Sequence, residues 1–414
     1  MGDVATKKLY WNDPFATSFE AEASLGRWQG RPSIVLDRTL FYPEGGGQNP
    51  DAGTLVLEEN EASIPIVDVQ IDDAGTIHHL TEPGHEATLA GLATVRRAHG
   101  EIDADRRRDN MAQHSAQHML SRALLDVAKA ATVSARLGAT LCTIDVDVAN
   151  VKDADLHRVE DLVNAAIRAD VTVRQLFPTE AELATLPLRR APKVSSGIRL
   201  IDIEGFDLTP CGGTHVTRTG QIGAARIVGT ERYKGKIRLT FHAAQRALAD
   251  VRAKEVALSA LARELTCGPT DVGAAVAKLR AELKAKNETL TATRAELVTF
   301  VAEQALAAHP STPGAPTLIV LVRERDDVGM LRALSGKLTA RGDVVAFCAA
   351  LDGGDRLVVL QRGQEAALDC GAWFKEATKV HGGRGGGNKE RAEGRFPGEA
   401  DFAALETSLR AALR

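Results

Sequence analysis

Two short motifs of histidine and cysteine contain the residues of this sequence best suited to chemistry. The first is His114-Ser-Ala-Gln-His118, and the second, further along the chain, is Cys211-Gly-Gly-Thr-His215. The apolar spacing around the first motif predicts a helix, on which residues four apart share a face and can bind one metal ion together. The two glycines of the second motif allow a tight turn that brings Cys211 and His215 together. Mixed nitrogen and sulfur donors suit Zn²⁺, so we predict one zinc ion per chain.

Each motif alone is weak evidence, because an H-x-x-x-H pair is usually one buried and one exposed histidine. The first motif also lacks the glutamate of H-E-x-x-H, which argues against a zinc protease. Four protein ligands are typical of a structural zinc site, whereas catalysis needs an open position. We therefore expect His114, His118 and Cys211 to be constant ligands with catalytic roles. His215 would be a fourth ligand that gives way to water or substrate.

Three other segments have a functional and an ordinary interpretation. Glu44-Gly-Gly-Gly-Gln48 follows a strand-like run, and taken alone it is an ordinary glycine turn. The run Arg106-Arg107-Arg108 is either solvated surface charge or a contact to RNA phosphates. The segment 381–395 is rich in glycine and contains Arg384 and Lys389, so it is either a flexible turn or a loop that binds a phosphate backbone.

Composition indicates a globular protein made of several domains. The chain has 414 residues, of which 44% are hydrophobic and 26% charged, and a net charge of −4. This length predicts about two to four domains. The five cysteines are widely spread and form no C-x-x-C pair, which indicates a reducing compartment and no disulfide framework. We expect no signal peptide, no transmembrane helix and a cytoplasmic location.

The order of strand-like and helical patterns predicts an α+β protein in four parts. Residues 1–95 contain short strand-like runs, which predict a small β-rich domain carrying the glycine motif. Residues 96–242 mix helices and strands and contain both metal-ligand motifs. Residues 243–309 have a coiled-coil pattern, most simply a helical hairpin broken at Cys267-Gly268-Pro269. Residues 315–414 alternate strands and helices, with a glycine-rich loop before the last helix, and predict a small α/β domain.

The motifs in this order resemble a known family. Phe41-Tyr-Pro-Glu-Gly-Gly-Gly-Gln48, then the two metal-ligand motifs, the helical hairpin and the glycine-rich C-terminal domain look like the alanyl-tRNA synthetase editing region. More closely, the chain resembles the free-standing AlaX editing proteins in their long form, which end in a DHHA1-type tRNA-binding domain. A full synthetase would carry an aminoacylation domain ahead of the editing region. The resemblance therefore implies trans-editing, the hydrolysis of serine or glycine wrongly attached to tRNA(Ala), without amino-acid activation.

The resemblance also implies roles for individual residues and partners. Glu44, Gly45, Gly46, Gly47 and Gln48 would form a substrate-binding wall beside the aminoacyl end, with Gln48 also assisting catalysis. Arg106, Arg107, Arg384 and Lys389 would contact RNA. The partner would be mischarged tRNA(Ala), with no membrane, and the helical hairpin or the C-terminal domain could support a homodimer. A small β-barrel-like domain at the N-terminus and a zinc-binding editing domain after it complete the expected fold.

Two alternatives come from other functional classes. The first is a non-catalytic RNA-binding protein in which a closed zinc site only stabilises the fold. The second is a phosphoesterase acting on short RNA or nucleotides, suggested by the DHHA1-like C-terminal domain. We rank it last, because the usual partner of that domain carries Asp-His-His metal ligands and this sequence contains no Asp-His-His.

Overall fold

The computed structural model describes residues 5–58, 62–85, 89, 92, 94–192, 197–352 and 354–413. The chain divides into two compact units, Met1–Ala260 and Leu261–Arg414. Helices and mixed or antiparallel sheets occur together, which confirms the α+β class. The division into four domains remains a prediction. Within the described ranges no helix is long and apolar enough to cross a membrane. All five cysteines are free.

The first unit begins with a seven-stranded sheet that curls back on itself. Its neighbouring strands run in the order β6-β5-β9-β2-β3-β8-β7. The two edge strands, β6 and β7, are separated in the chain by Val67 alone, so the sheet must curve until its edges meet at that corner. The strands, with a 3₁₀ turn at Leu9–Trp11, are β1 (Lys7–Lys8), β2 (Ser18–Trp28), β3 (Arg31–Leu36), β4 (Arg38–Thr39), β5 (Gly53–Leu57), β6 (Ala62–Ile66), β7 (Asp68–Ile71), β8 (Ile77–Leu80) and β9 (Arg96–Ile102).

Alternation along the strands explains which face of this sheet is buried. In β2 the residues from Ser18 to Ala23 alternate between exposed and buried, and Phe19, Ala21 and Ala23 point into the core. The strand-like runs of the sequence at 33–36, 53–57, 64–71 and 76–80 correspond to β3, β5, β6 with β7, and β8. The longest strand of this sheet, β2, was not predicted. The predicted first domain ended at residue 95, whereas β9 lies between β5 and β2 in the sheet.

The rest of the first unit surrounds one long buried helix, α1. Two further antiparallel sheets pack with it, in the orders β10-β11-β16-β15 and β12-β13-β14. The Asp103 side chain caps α1 by accepting hydrogen bonds from the N–H groups of Asp105 and Arg106. The elements are α1 (Ala104–Ala128), β10 (Thr132–Leu137), β11 (Cys142–Val146), α2 (Asp153–Arg168), β12 (Val173–Leu176), α3 (Glu180–Leu183), β13 (Leu200–Ile203), β14 (Asp207–Pro210), a 3₁₀ turn (Thr219–Ile222), β15 (Ala225–Tyr233) and β16 (Lys236–Ala243).

A buried ion pair joins α1 to the first sheet. Arg107 is 1% exposed, and its Nε donates to both carboxylate oxygens of Asp51, at 3.2 and 3.1 Å. Its other nitrogens donate to the backbone carbonyls of Pro14 and Leu40. The prediction that Arg107 contacts RNA is therefore wrong, because the guanidinium is buried and all three of its nitrogens donate hydrogen bonds within the protein. Arg106 is half-buried and donates to the Pro50 carbonyl at 2.9 Å, and its contact with RNA remains a prediction.

Replacing Arg107 with alanine is expected to destabilise the protein strongly. Removing one partner of a buried pair leaves the other charge without compensation, which costs about 3–5 kcal/mol. Urea denaturation would measure this as a drop in the free energy of unfolding. Arg108→Ala is the matched control, because Arg108 is 65% exposed and its ion pair with Asp105 is long, at 3.9 Å, so it should change the value by less than about 1 kcal/mol. Equal effects of the two substitutions would contradict the structural role of Arg107.

The second unit has a five-stranded sheet with a hydrophobic cluster on each face. The strand order is β17-β18-β19-β21-β20; β17 and β18 are parallel, and the other pairs are antiparallel. Helices α5 and α6 cover one face, and α7 and α8 cover the other. The elements are α4 (Ala244–Glu264), which starts in the first unit, a 3₁₀ turn (Pro269–Asp271), α5 (Val272–Ala308), β17 (Thr317–Arg323), α6 (Val328–Thr339), β18 (Val344–Asp352), β19 (Asp355–Arg362), α7 (Cys370–His381), β20 (Arg384–Gly387), β21 (Arg391–Phe396) and α8 (Phe402–Ala412).

Two features of this unit differ from the sequence-based picture. The glycine-rich segment is not a loop, because Arg384–Gly387 forms the edge strand β20, paired with β21. A Cβ on Gly385 would lie 2.4 Å from the Glu393 carbonyl oxygen, so the glycine allows close pairing of the strands. The apolar heptad positions of α5 are exposed: Leu279, Leu283 and Leu290 are 56%, 59% and 50% exposed. The helical hairpin therefore remains a prediction.

Candidate metal centre

Two elements of the first unit bring four metal-binding side chains to one point. His114 and His118 lie on successive turns of α1, and Cys211 and His215 lie in the loop that follows β14. One candidate ligand atom from each residue lies within 4.8 Å of all the others. A Cβ on Gly213 would lie 2.2 Å from Cε1 of His114, so only glycine allows the loop to pass this close to the helix. The two motifs therefore meet in space, as the sequence predicts.

Two of the distances between donor atoms are close to those of a tetrahedral zinc site. Nε2 of His114 and Nε2 of His215 each lie 3.3 Å from Sγ of Cys211. Zinc bonds of about 2.3 Å to sulfur and about 2.0–2.1 Å to nitrogen place such atoms roughly 3.5 Å apart. The imidazole ring centroids are separated by 4.3 to 5.0 Å. The residues present therefore fit a zinc ion.

Each imidazole has a polar group beside its outer nitrogen. Nδ1 of His114 lies 2.8 Å from Oε1 of Gln48, and Nδ1 of His215 lies 3.1 Å from Oγ of Ser115. Nδ1 of His118 faces Oδ2 of Asp207 at 3.8 Å, and neither atom has a hydrogen-bond partner. In metal sites such outer groups hold the tautomer and orient the ring, which leaves Nε2 for the metal.

Burial keeps the three histidines neutral, as metal binding requires, but it favours the protonated form of Cys211. Burial lowers the pKa of His114 to about 3, and Arg199 and Arg190 act in the same direction. Burial likewise holds the pKa values of His118 and His215 well below their usual range, so all three imidazoles are neutral. Burial raises the pKa of the Cys211 thiol. A cation at the centre would be needed to stabilise this thiolate.

A cavity of about 470 Å³ reaches this centre at Cys211. Cys211 is partly exposed, whereas the three histidines are buried. The cavity wall also contains Gly46 of the glycine motif and Gly212 of the second motif. A molecule that enters the centre from this cavity therefore meets Cys211 first.

Comparison with known proteins identifies the relatives of the chain. Residues 198–240, which include Cys211 and His215, match the family described as "Threonyl and Alanyl tRNA synthetase second additional domain". Residues 14–106 match "tRNA synthetases class II (A)". An alanine–tRNA ligase of Haloquadratum walsbyi is 31% identical over 420 residues, covering 98% of this chain and 43% of the relative. The chain is a homologue of alanyl-tRNA synthetase.

A second alanine–tRNA ligase agrees with this relationship. The alanine–tRNA ligase of Halobacterium salinarum is 30% identical over 368 residues, covering 85% of the chain and 38% of that protein. A crystal structure of the C-Ala domain from Aquifex aeolicus alanyl-tRNA synthetase matches 25% of the chain at 26% identity, with a TM-score of 0.23. The identity and coverage of the two ligases confirm the resemblance to alanyl-tRNA synthetase. This homologue spans about two fifths of the length of the curated relatives it matches.

The glycine motif of this alanyl-tRNA synthetase homologue lies next to the centre, with Gln48 inside the protein. Gln48 is 1% exposed; its Nε2 donates to Oγ1 of Thr214, and its Oε1 accepts from the Thr214 N–H and faces His114. The Gln48 amide therefore links Thr214 of the second motif to His114 of the first. Glu44 is exposed and accepts from Nε2 of Gln70 at 3.2 Å. Gly47 has φ +88°, and a Cβ there would lie 2.6 Å from the Ala135 carbonyl oxygen.

Three further residues support the centre and were not predicted from the sequence. Asp207 faces His118, and its other carboxylate oxygen accepts from Nε of Arg189 at 2.8 Å. Arg199 donates from Nη1 to the carbonyls of Cys211 and Gly213, at 3.0 and 2.8 Å. Ser115 lies beside His215. Ser115 is adjacent to the first ligand in the sequence, which was a usable signal, whereas Asp207 and Arg199 have no diagnostic spacing. Arg384 and Lys389 are exposed, and their contact with RNA remains a prediction.

Replacing Asp207 with asparagine is expected to weaken zinc binding by roughly 10–100-fold, the usual cost of losing a group that orients a ligating histidine. Competition with a chromophoric chelator would measure the zinc Kd. Glu204→Gln is the matched control, because Glu204 lies in the turn between β13 and β14 and is 54% exposed. Unchanged zinc affinity in the Asp207 variant would contradict a role for this carboxylate at the centre.

Proposed function

We propose that this chain is a zinc-dependent editing hydrolase that removes serine from mischarged tRNA(Ala), with glycine as a second substrate. One observation carries the proposal: three imidazoles, each with a polar group at its outer nitrogen, converge with a cysteine that opens onto a cavity. The relationship to alanine–tRNA ligases supports alanine tRNA as the nucleic-acid partner.

The need for such an activity follows from the sizes of the amino acids. Serine differs from alanine by one hydroxyl, and a pocket for a small apolar side chain rejects an added hydroxyl poorly. A second, hydrolytic site can do the reverse. It binds the hydroxyl of serine, and alanine then leaves the polar groups of that site without a partner. Hydrolysis of the ester would correct the error without touching correctly charged tRNA.

The residues of the centre divide into those that hold the metal and those that orient its ligands. His114, His118, Cys211 and His215 would hold the zinc ion, with His215 the ligand that gives way. When bound, zinc would supply a Lewis acid and lower the pKa of a bound water to about 7. Gln48 would orient His114, and Asp207 would orient His118, each at the Nδ1 atom of the ring. Arg199 fixes the carbonyls of the loop that carries Cys211.

We further propose contacts for the rest of the chain. Arg384 and Lys389 lie on the exposed hairpin of β20 and β21, where they are available to an RNA backbone. The exposed heptad positions of α5 support homodimerisation through that helix. A cytoplasmic location follows from a role on tRNA.

A structural role for zinc is the second candidate, and the burial of three of the four donors favours it. A deacylation assay on tRNA(Ala) charged with serine, glycine or alanine separates the two candidates. We expect zinc-replete protein to release serine, glycine more slowly, and alanine least. Failure to hydrolyse all three esters, in protein that holds about one zinc per chain, would favour the structural role and contradict the proposed function.

A further inference from the structure

The cavity beside Cys211 is lined by three cations. They are Lys8 at the end of β1, Arg190 after α3, and Arg199 just before β13. Among the residues that the structure describes, none of the three is paired with a carboxylate, and no acidic side chain lines this cavity. Burial lowers the pKa of the Lys8 amino group, as expected for a cation without a counter-charge.

The hydrogen bonds of the two arginines leave part of each guanidinium for a ligand. Arg199 is 7% exposed and uses Nε on Gln175 and Nη1 on two carbonyls, so its Nη2 has no partner in the described structure. Arg190 is exposed and donates from Nη2 to the Pro210 carbonyl at 3.0 Å. Such positively charged cavities attract anions, and arginine in particular suits phosphate oxygens.

An aromatic pair extends from the cavity wall to the surface. Trp11 is held in place because its Nε1 donates to the Gly212 carbonyl at 3.1 Å. Lys8 and Arg199 lie over its ring, at 4.7 and 5.5 Å from the centroid. Phe177 is 57% exposed, and its ring lies 6.0 Å from that of Trp11. Exposed aromatic rings beside cations are the usual platform on which nucleic-acid bases stack.

We propose that this cavity binds the 3′-terminal nucleotide of the charged tRNA. Its phosphate lies at Lys8 and Arg190, its base stacks on the Trp11–Phe177 pair, and its ester-bearing ribose faces Cys211. The volume lies within the range of about 300–1,000 Å³ common for small-molecule sites. Hydrolysis at the metal centre requires the ester bond to reach it, so the aminoacyl part lies on the metal side. This inference rests on the proposed function.

Binding of uncharged tRNA(Ala) tests the inference without relying on hydrolysis. Two forms of the tRNA are compared at fixed salt by fluorescence anisotropy, one with a complete 3′ end and one lacking the terminal nucleotide. One stacked base contributes enough for wild-type protein to prefer the complete form by about tenfold or more. Phe177→Ala and Lys8→Gln should each reduce this ratio toward one. Lys152→Gln, a change of an exposed lysine on the same unit, should preserve it.

The outcomes separate this inference from the proposed function. Wild-type protein that hydrolyses seryl-tRNA but binds both forms of the tRNA equally would overturn the nucleotide site and leave the function standing. A preference for the complete end that both variants retain would also overturn it. A preference that both variants lose supports the site, even in protein without hydrolytic activity. Zinc content and thermal midpoint, measured for each variant, identify any loss that comes from misfolding.

Discussion

Replacing Cys211 with alanine is expected to lower the deacylation rate of every aminoacyl ester by about three orders of magnitude or more. Cys211 is the one thiol among the four candidate ligands, and it is the one that the cavity reaches. Without it only three imidazole donors would remain and zinc would be held less tightly, and loss of the metal would remove the lowering of the pKa of bound water from about 15.7 to about 7. Single-turnover rates on seryl-, glycyl- and alanyl-tRNA(Ala) would measure the effect.

Cys267→Ala is the matched control for this experiment. Cys267 is a free, partly buried cysteine between α4 and α5. Its removal changes the same chemical group but leaves the centre intact, so the rates should equal those of the wild type. Full activity in the Cys211 variant would show that the chemistry takes place elsewhere in the protein.

The second large effect concerns the choice between serine and alanine. A site built to bind a hydroxyl can reject a ligand without one by about four orders of magnitude, although a partly hydrated site gives less. We therefore expect wild-type protein to hydrolyse seryl-tRNA(Ala) faster than alanyl-tRNA(Ala) by roughly that factor. The ratio of single-turnover rates at saturating enzyme measures it directly. Equal rates would contradict selection through the hydroxyl.

The convergence of the four candidate ligands could be predicted because local rules placed them. A spacing of four on a helix puts His114 and His118 on one face, and two glycines allow Cys211 and His215 to meet. The groups behind them could not be predicted in the same way. Asp207 reaches His118 because β14 packs against α1, and that contact depends on the tertiary fold.

Arg107 and the glycine-rich hairpin show where composition misleads. A run of three arginines suggests a surface patch, yet the middle one is buried against Asp51, 56 residues earlier in the chain. No local pattern distinguishes Arg107 from its exposed neighbour Arg108. Likewise the glycines of β20 suggested a flexible loop. Their actual role is to let two strands approach closely, and the pairing partner that requires this is β21.

The strands that were missed have a related explanation. β2 carries alternating polar residues and a glycine, so its apolar content is low for a strand of its length. It is stabilised by its neighbours β3 and β9 on either side. β9 was assigned to the following domain because it is continuous in sequence with α1. Only the pairing with β2 and β5 places it in the first sheet.

Removal and return of zinc tests the central claim most directly. Wild-type protein is stripped with a chelator, its fold is checked by circular dichroism, and release of serine from seryl-tRNA(Ala) is measured before and after zinc is restored. We expect activity to disappear while the fold is kept, and to return in full at about one zinc per chain. Undiminished serine release by folded, zinc-free protein would contradict the account.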